Sequence, residues 1–267
     1  MRYRLLALDL DGTLFDRRKA ISPCNLAAIR SAQQAGLRVL VATARLPHTA
    51  RPFAAQIGAA KPMVACVGAW NIMPDGSDDQ TLFEPEVVRR FSHFADAEGL
   101  NLSITDAEAR VILRWADTER SRRLDVDLPA VEFVTRIQDH IPPRVVRLFS
   151  GETRSAQRLL DRFGEEMRGR VRFYRTATDG VLQELHVVPA QAGKDTALER
   201  ICQRLGIAAG EVAAMGDSET DLDMIRWAGL GIAVADAMPE VRAAADLVAP
   251  ASHEDAVAWT INRLLRG

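Results

Sequence analysis

Tyr3 to Leu8 is a short apolar run that is broken at once by two acids and a glycine, Asp9-Leu10-Asp11-Gly12. So short and uniformly apolar a run suits a strand buried on both faces, the kind found in parallel sheets covered by helices. The same pattern returns at Leu37 to Val41, Met63 to Val67, Val212 to Met215, Leu230 to Val234 and Leu247 to Val248. Helical segments stand between these runs. Ser22-Pro23 reads as an N-cap with proline at the first helical position, Leu26, Ile29 and the alanines to Ala35 form a stripe, and Gly36 ends it. A second helix follows Pro47 and stops near Gly58. Asp195 to Leu205 carries Leu198, Ile201, Cys202 and Leu205 at i, i+3, i+4, i+7 spacing, and the last helix carries Val257, Ile261, Leu264 and Leu265. Strands alternating with helices predict an α/β core.

Between Leu82 and Val188 the pattern changes. A helix is predicted over Glu84 to Gly99, with Val87, Phe91, Phe94 and Ala95 on one face. Strands follow at Asn101 to Thr105 and Arg110 to Ala116, then a helix over Pro129 to His140 with Val131, Val134, Ile137 and Ile141 facing inward. Next come a strand at Val145 to Phe149, a helix over Arg154 to Glu166, and strands at Val171 to Arg175 and Val181 to Val187 joined by the hairpin signal Asp179-Gly180. This mixture predicts an inserted α+β unit over residues 82–188, splitting a core made of residues 1–81 and 189–267.

Composition narrows the function classes. The 34 basic and 36 acidic residues among 267 leave a formal charge of -2, so no global field draws nucleic acid or an anionic membrane, and neither partner is expected. No apolar run reaches the roughly 18 residues of a membrane span, and the chain enters its first strand without a signal-peptide pattern, so a cytoplasmic location is expected. Cys24, Cys66 and Cys202 are too scattered for a zinc set and read as buried thiols. With no isolated hydrophobic interface pattern, a monomer is favoured over a homodimer.

The chemistry resides in four acids placed after two predicted strands: Asp9 and Asp11, then Asp217 and Asp221. Ligands bind at the carboxyl ends of strands in open α/β sheets. Carboxylates gathered there repel one another, and a hard divalent cation such as Mg²⁺, which favours oxygen ligands and substrate phosphate, offsets the cost. In an extended segment Asp9 and Asp11 point the same way, so one can attack while the other reaches the leaving group.

These residues carry a resemblance. Asp9-Leu10-Asp11-Gly12-Thr13-Leu14 resembles the DxDGT motif of the haloacid dehalogenase-like hydrolases, and the whole chain is similar to their Cof-like phosphatases. The resemblance implies a Rossmann-like three-layer α/β core with an inserted α+β cap that selects substrate. It implies Asp9 as nucleophile and Asp11 as general acid/base. It further implies a Mg²⁺ cofactor held by the Asp9 carboxylate, the Asp11 backbone carbonyl and Asp217, with Asp221 as a supporting ligand-site residue. Thr43 and Ala44, in Val41-Ala42-Thr43-Ala44-Arg45, match the phosphate-binding turn, where relatives read Thr-Gly-Arg. Lys194, in Ala192-Gly193-Lys194-Asp195, matches the catalytic, phosphate-binding lysine. Gly216-Asp217-Ser218-Glu219-Thr220-Asp221 matches GDxxND with Thr220 replacing asparagine, and Val67 stands where relatives often carry asparagine. Arg45, Trp70 and His186 are candidate substrate contacts. The expected activity is Mg²⁺-dependent hydrolysis of small phosphorylated metabolites, sugar phosphates foremost, through an aspartyl phosphate. The alternatives are a phosphohexomutase and a catalytically weak sugar-phosphate-binding regulator.

Overall fold

The computed structural model describes residues 2–15, 19–114, 131–178 and 181–266. The chain divides into two compact units, Met1–Asp79 with Gly193–Gly267, and Gln80–Ala192. In chain order the first part comprises β1 (Leu5–Leu8), α1 (Pro23–Gln34), β2 (Arg38–Ala42), α2 (Pro47–Gln56), β3 (Met63–Ala65), β4 (Trp70–Ile72) and β5 (Asp78–Gln80). The inserted unit comprises α3 (Pro85–Glu98), β6 (Leu102–Asp106), β7 (Val111–Arg114), β8 (Val131–Val134), β9 (Val145–Ser150), α4 (Thr153–Phe163), β10 (Val171–Thr178) and β11 (Val181–Pro189). The return comprises α5 (Lys194–Leu205), β12 (Val212–Gly216), α6 (Leu222–Trp227), β13 (Leu230–Val234), α7 (Pro239–Ala244), β14 (Leu247–Ala249) and α8 (Ala256–Arg266). Among the described residues no helix is long and apolar enough to cross a membrane.

The core sheet runs β14-β13-β12-β1-β2-β3-β4-β5. β1 is central and parallel to both neighbours, with Leu8 opposite Met215 on one side and Val41 on the other. The chain builds outward from β1 in one direction through β2 and β3 and later in the other through β12, β13 and β14. The order therefore reverses between β1 and β12, and the crevice at their carboxyl ends is where such a sheet binds ligands. Because side chains alternate, Leu6 and Leu8 join one apolar cluster with Ile29 and Ile261, whereas Leu5 and Ala7 join a second with Leu198 and Ile201. Both faces are thus buried, which is why the strand reads as unbroken apolar sequence. α1 begins as its sequence indicates: Ser22 Oγ accepts the Asn25 amide at 3.0 Å, and such a cap contributes about 1 kcal/mol.

Two expectations for this unit change. The strand from Met63 stops at Ala65 rather than Val67, because Cys66, Val67 and Gly68 all take left-handed conformations, with φ of 48°, 54° and 84°. The reversal sends Trp70–Ile72 back antiparallel to β3, placing Trp70 opposite Ala65. Cys24 is exposed on the first turn of α1, while Cys66 and Cys202 are buried as expected.

The inserted unit has its own sheet, β10-β11-β9-β6-β7-β8, antiparallel in every described pair except β7 with β8. One face is apolar. Phe91 of α3 stacks on Phe163 of α4 with centroids 4.1 Å apart, and both join Ile104, Leu148, Leu185 and Val187 in a core separate from those above. The other face carries a row in register across four strands: Ser103, Phe149, His186 and Tyr174. Beside it Arg147 is paired with Thr105.

The helix expected over Pro129 to His140 is not present in its described part. Val131–Val134 is a strand lying parallel to β7, with Val111 opposite Val131, and only Ile137–His140 forms a single 3₁₀ turn. Val, Phe and Val favour an extended chain that a neighbouring strand can pair, and the Asp96 carboxylate accepts the Ile137 and Gln138 amides, both at 3.0 Å, to start the turn. The Asp179-Gly180 turn lies outside the described residues, although β10 and β11 pair antiparallel on either side of it.

Candidate active site

Asp9 is the first residue past β1, and its amide donates to the Met215 carbonyl of β12 at 3.0 Å. That bond extends the parallel ladder by one residue and fixes the Asp9 side chain at the switch point. Asp217 is the first residue past β12. Its Oδ1 accepts the Thr13 hydroxyl at 3.0 Å, tying the loop after β1 to the loop after β12. Gly12 lies between them with φ of 83°, and a Cβ there would fall 2.4 Å from Asp217 Oδ2. Only glycine satisfies both the left-handed backbone and this closeness.

Lys194 is the first residue of α5, and its side chain is fully enclosed. Its ammonium donates to Asp9 Oδ1 at 2.7 Å and to Asp221 Oδ1 at 2.6 Å. The turn before it depends on close backbone contact, since a Cβ on Gly68 would fall 2.1 Å from the Gly193 carbonyl oxygen. The left-handed run at Cys66–Gly68 thus brings a backbone without side chain against the residue that launches Lys194.

Asp221 is fully buried and is used twice. Oδ1 takes Lys194, and Oδ2 accepts the amides of Asp217 and Ser218, at 3.1 and 3.0 Å, and the Ser218 hydroxyl at 3.1 Å. It therefore holds the loop that presents Asp217. Thr220 places its hydroxyl 2.9 Å from that of Ser218, so the residue in the asparagine position bonds within its own loop.

Asp11 is set apart from this cluster. Its side chain is 47% exposed, and both of its oxygens accept from Arg45, Nε to Oδ2 and Nη2 to Oδ1, each at 2.6 Å. Thr43 is buried, anchored by its amide to the Val64 carbonyl at 2.9 Å, and its hydroxyl accepts the Arg45 amide at 3.2 Å. That hydroxyl still has its own proton to donate. Ala44 joins these two residues. Trp70 is buried in β4, and His186 is buried on β11, with its ring 4.9 Å from that of Phe149 and its Nε2 3.7 Å from Glu184.

The electrostatics call for a cation. Burial raises the Asp9 carboxyl to about 7; Lys194 pulls it down and the Asp221 charge adds to the rise. Burial and the charges of Asp9 and Asp221 push Asp217 well above the usual carboxylate range. Burial opposes the charge on Lys194, but Asp221 and Asp9 outweigh it and keep the amine protonated. Asp9, Asp217 and Asp221 each offer an oxygen, all within 4.8 Å of one another. Three carboxylates face one ammonium, and protein donors engage Asp9 Oδ1, Asp217 Oδ1 and both oxygens of Asp221. All-oxygen, negatively charged donors of this kind suit Mg²⁺.

The structure brings Asp9, Lys194, Asp217 and Asp221 into one cluster and joins Asp11 to Arg45. Three supports went unread. Thr13 was visible in the motif but had no assigned partner. The Gly68–Gly193 approach is signalled only by two glycines 125 positions apart in sequence. Phe15 and Phe53, whose rings flank Arg45, give no local signal at all.

Similarities to known proteins follow the same outline. A phosphoglycolate phosphatase of Archaeoglobus fulgidus is 28% identical over 254 residues, covering 95% of this chain and 93% of that one. A 5-amino-6-(5-phospho-D-ribitylamino)uracil phosphatase of Bacillus subtilis is 26% identical, with 99% of both chains covered. A haloacid dehalogenase-like hydrolase from Bacteroides thetaiotaomicron superposes with a TM-score of 0.82 over 98% of this chain and 99% of its own; at 24% identity it speaks for the fold alone. The model of the haloacid dehalogenase-like hydrolase family matches residues 6–261. The chain belongs to that family, as a Cof-like member with a large α/β cap, and is a magnesium-dependent phosphatase.

Proposed function

We propose that the enzyme hydrolyses small sugar phosphates or closely related polyol phosphates, with Asp9 as nucleophile and Asp11 as general acid/base. The observation that carries this reading is the Lys194 ammonium bonded to both Asp9 and Asp221 beside Asp217, at the switch point of a parallel sheet. A free Asp9 Oδ2, directed by a bond from Oδ1 to Lys194, is a carboxylate prepared to attack. Mg²⁺, held by side-chain oxygens of Asp9 and Asp217 and the main-chain carbonyl of Asp11, supplies charge neutralisation and polarises the phosphate when bound.

Asp9 Oδ2 attacks phosphorus in line with the ester oxygen, forming an aspartyl phosphate. Asp11 gives its proton to the departing oxygen as the ester bond breaks. Asp11, now a carboxylate, takes a proton from water, which attacks the same phosphorus and restores Asp9. Lys194 offsets charge on the phosphate oxygens throughout, while Thr43 donates its hydroxyl proton and the amides of the Thr43–Ala44 turn complete the phosphate cradle. Division into two displacements is the usual advantage of covalent catalysis.

The inserted unit, with boundaries near residues 82 and 188, is assigned substrate selection. Its sheet face bearing Ser103, Thr105, Arg147, Phe149, His186 and Tyr174 has the hydroxyl, cationic and ring chemistry to recognise a short polyol or its carboxylate. The relatives are named for substrates whose phosphate sits on glycolate, a short carboxylate, and on the ribityl chain of an aminouracil, a polyol. A phosphate-release screen with Mg²⁺ over phosphoglycolate, pentitol phosphates and hexose phosphates tests the reading. Turnover is expected on one polyol or sugar class, and Asp9→Asn should lower it by at least about 10⁴-fold. Retained turnover in D9N would remove Asp9 as nucleophile. Isomer exchange without phosphate release would instead mark a phosphohexomutase.

A further inference from the structure

Arg45 stands two residues beyond Thr43 and has the chemistry to contact a phosphate, yet its fork is already committed. Nε and Nη2 make two parallel bonds of 2.6 Å to the two oxygens of Asp11. Such a side-on pair fixes the carboxylate plane as well as its position, which one hydrogen bond does not do. Among the described residues Arg45 is the only side chain bonded to the Asp11 carboxylate. The bond to Asp11 also raises the Arg45 pKa, so the cation is permanent.

Two aromatic rings pack on the guanidinium as well. Its central carbon lies 5.2 Å from the ring centroids of both Phe15 and Phe53. These rings meet edge to face, 4.7 Å apart at 62°, and form a cleft for a flat cation. Phe15 closes the loop that begins at Asp9, its amide bonding the Leu10 carbonyl at 2.9 Å, whereas Phe53 belongs to α2. The cleft thus joins the Asp9–Phe15 loop to the helix that follows Arg45. A point charge meant to attract phosphate needs neither rings nor a fork, and lysine would serve. Planarity, stacking and bidentate bonding together are specific to arginine.

We propose that Arg45 is a positioning residue for proton transfer: from the Phe15–Phe53 cleft it holds the Asp11 carboxylate in a fixed plane, rather than contacting the transferred phosphate. The inference rests on the reading of Asp11 as general acid/base. Each carboxylate oxygen has two lone-pair sites, so a pair that uses one on each leaves a site for the proton that Asp11 transfers. Asp11 is half exposed and would otherwise rotate freely in solvent.

Leaving-group dependence tests it. Departure of p-nitrophenolate needs no proton, whereas an alkoxide does, so kcat/KM on p-nitrophenyl phosphate and on glycerol phosphate separates positioning of Asp11 from phosphate contact. Arg45→Lys keeps the charge and loses the fork. It should lower kcat/KM on glycerol phosphate at least about 10-fold more than on the aryl ester, within the range that proton transfer contributes. Competitive inhibition by inorganic phosphate should stay within about twofold of wild type, since the phosphate cradle is intact. In an Asp11→Asn background, read as the burst of nitrophenolate, R45K should add no further loss. Phe53→Leu should act in the same direction as R45K but less, and it carries the test if R45K does not fold. Equal losses on both esters with weakened phosphate inhibition would overturn the proposal and make Arg45 a phosphate ligand. Unchanged kinetics on both esters would overturn it as an idle ion pair. Wild-type turnover of the aryl ester, measured first, separates these outcomes from failure of the phosphatase reading, which would remove both.

Discussion

The core sheet is parallel around β1 and buried on both faces, whereas the sheet of the inserted unit is mostly antiparallel and apolar on one face. The two geometries present side chains differently. A parallel sheet sends all its strands to the same edge, so residues that follow strands 200 positions apart arrive together, as Asp9 and Asp217 do on adjacent strands. An antiparallel sheet spreads its polar groups over a face, one from each strand, as in the row Ser103, Phe149, His186 and Tyr174. Chemistry that needs charges within a few ångströms suits the first arrangement. Recognition of differing small molecules suits the second, where one residue can change without moving the others.

The largest expected effect falls on the core. Lys194→Met leaves Asp9 and Asp221 buried without their cation and should cost about 3–5 kcal/mol of stability in Mg²⁺-free protein. It should also lower turnover about 10²–10³-fold, the scale set by loss of one preorganised charge donor. Denaturant melts beside phosphate-release assays check both, and an unchanged midpoint would mean the lysine is not stabilising the cluster. Phe91→Ala tests whether the units are energetically separate. Loss of the stack on Phe163 should cost the inserted unit about 3–5 kcal/mol. Calorimetry should show one transition lowered and the other, stabilised by Mg²⁺, in place; a common shift of both would show one cooperative unit.

A smaller contrast pairs two glycines with similar backbones. Gly68 and Gly169 have φ of 84° and 79°, but a Cβ at Gly68 meets Gly193 at 2.1 Å and one at Gly169 meets nothing within 4 Å. Gly169→Ala should cost about 1–2 kcal/mol, the left-handed penalty alone. Gly68→Ala should cost more and lower turnover, because Gly193 and Lys194 must move. Equal melting points for the two variants would remove the Gly68 contact as a determinant.

The acid cluster also predicts a pH slope. The folded Asp9 carboxyl, at about 7 rather than 3.8, retains a proton that the unfolded chain has lost across that window. Without a divalent cation, stability should therefore decline as pH rises from about 4 to about 7. Mg²⁺ needs the ionised carboxylate, so its stabilisation should grow over the same window. The Mg²⁺-induced rise in Tm should be larger at about pH 8 than at about pH 5.5; equal rises would separate the metal from Asp9.

The same contrast explains what could be read from sequence. Buried parallel strands are continuous apolar runs, so β1, β2 and β12 announced themselves, and the acids directly after β1 and β12 marked the candidate site. The 3.6-residue spacing of Val131, Val134 and Ile137 misled because β8 is made by its neighbour β7, a contact that no local pattern encodes. Val67 gave no warning of its left-handed backbone, since β-branched residues rarely adopt it. Arg45 could be read only as a candidate substrate contact, because its partner Asp11 and the two rings lie on segments that no local pattern links to it.

The enclosure of Lys194 has a practical consequence. Of the 34 basic residues in the chain, 31 are arginine and only Lys19, Lys61 and Lys194 are lysine. Lys19 and Lys61 are exposed, while Lys194 is sealed between two carboxylates. An amine-directed dye or resin therefore meets two lysine side chains and cannot reach the third, so tethering by those two leaves the charge beside Asp9 intact.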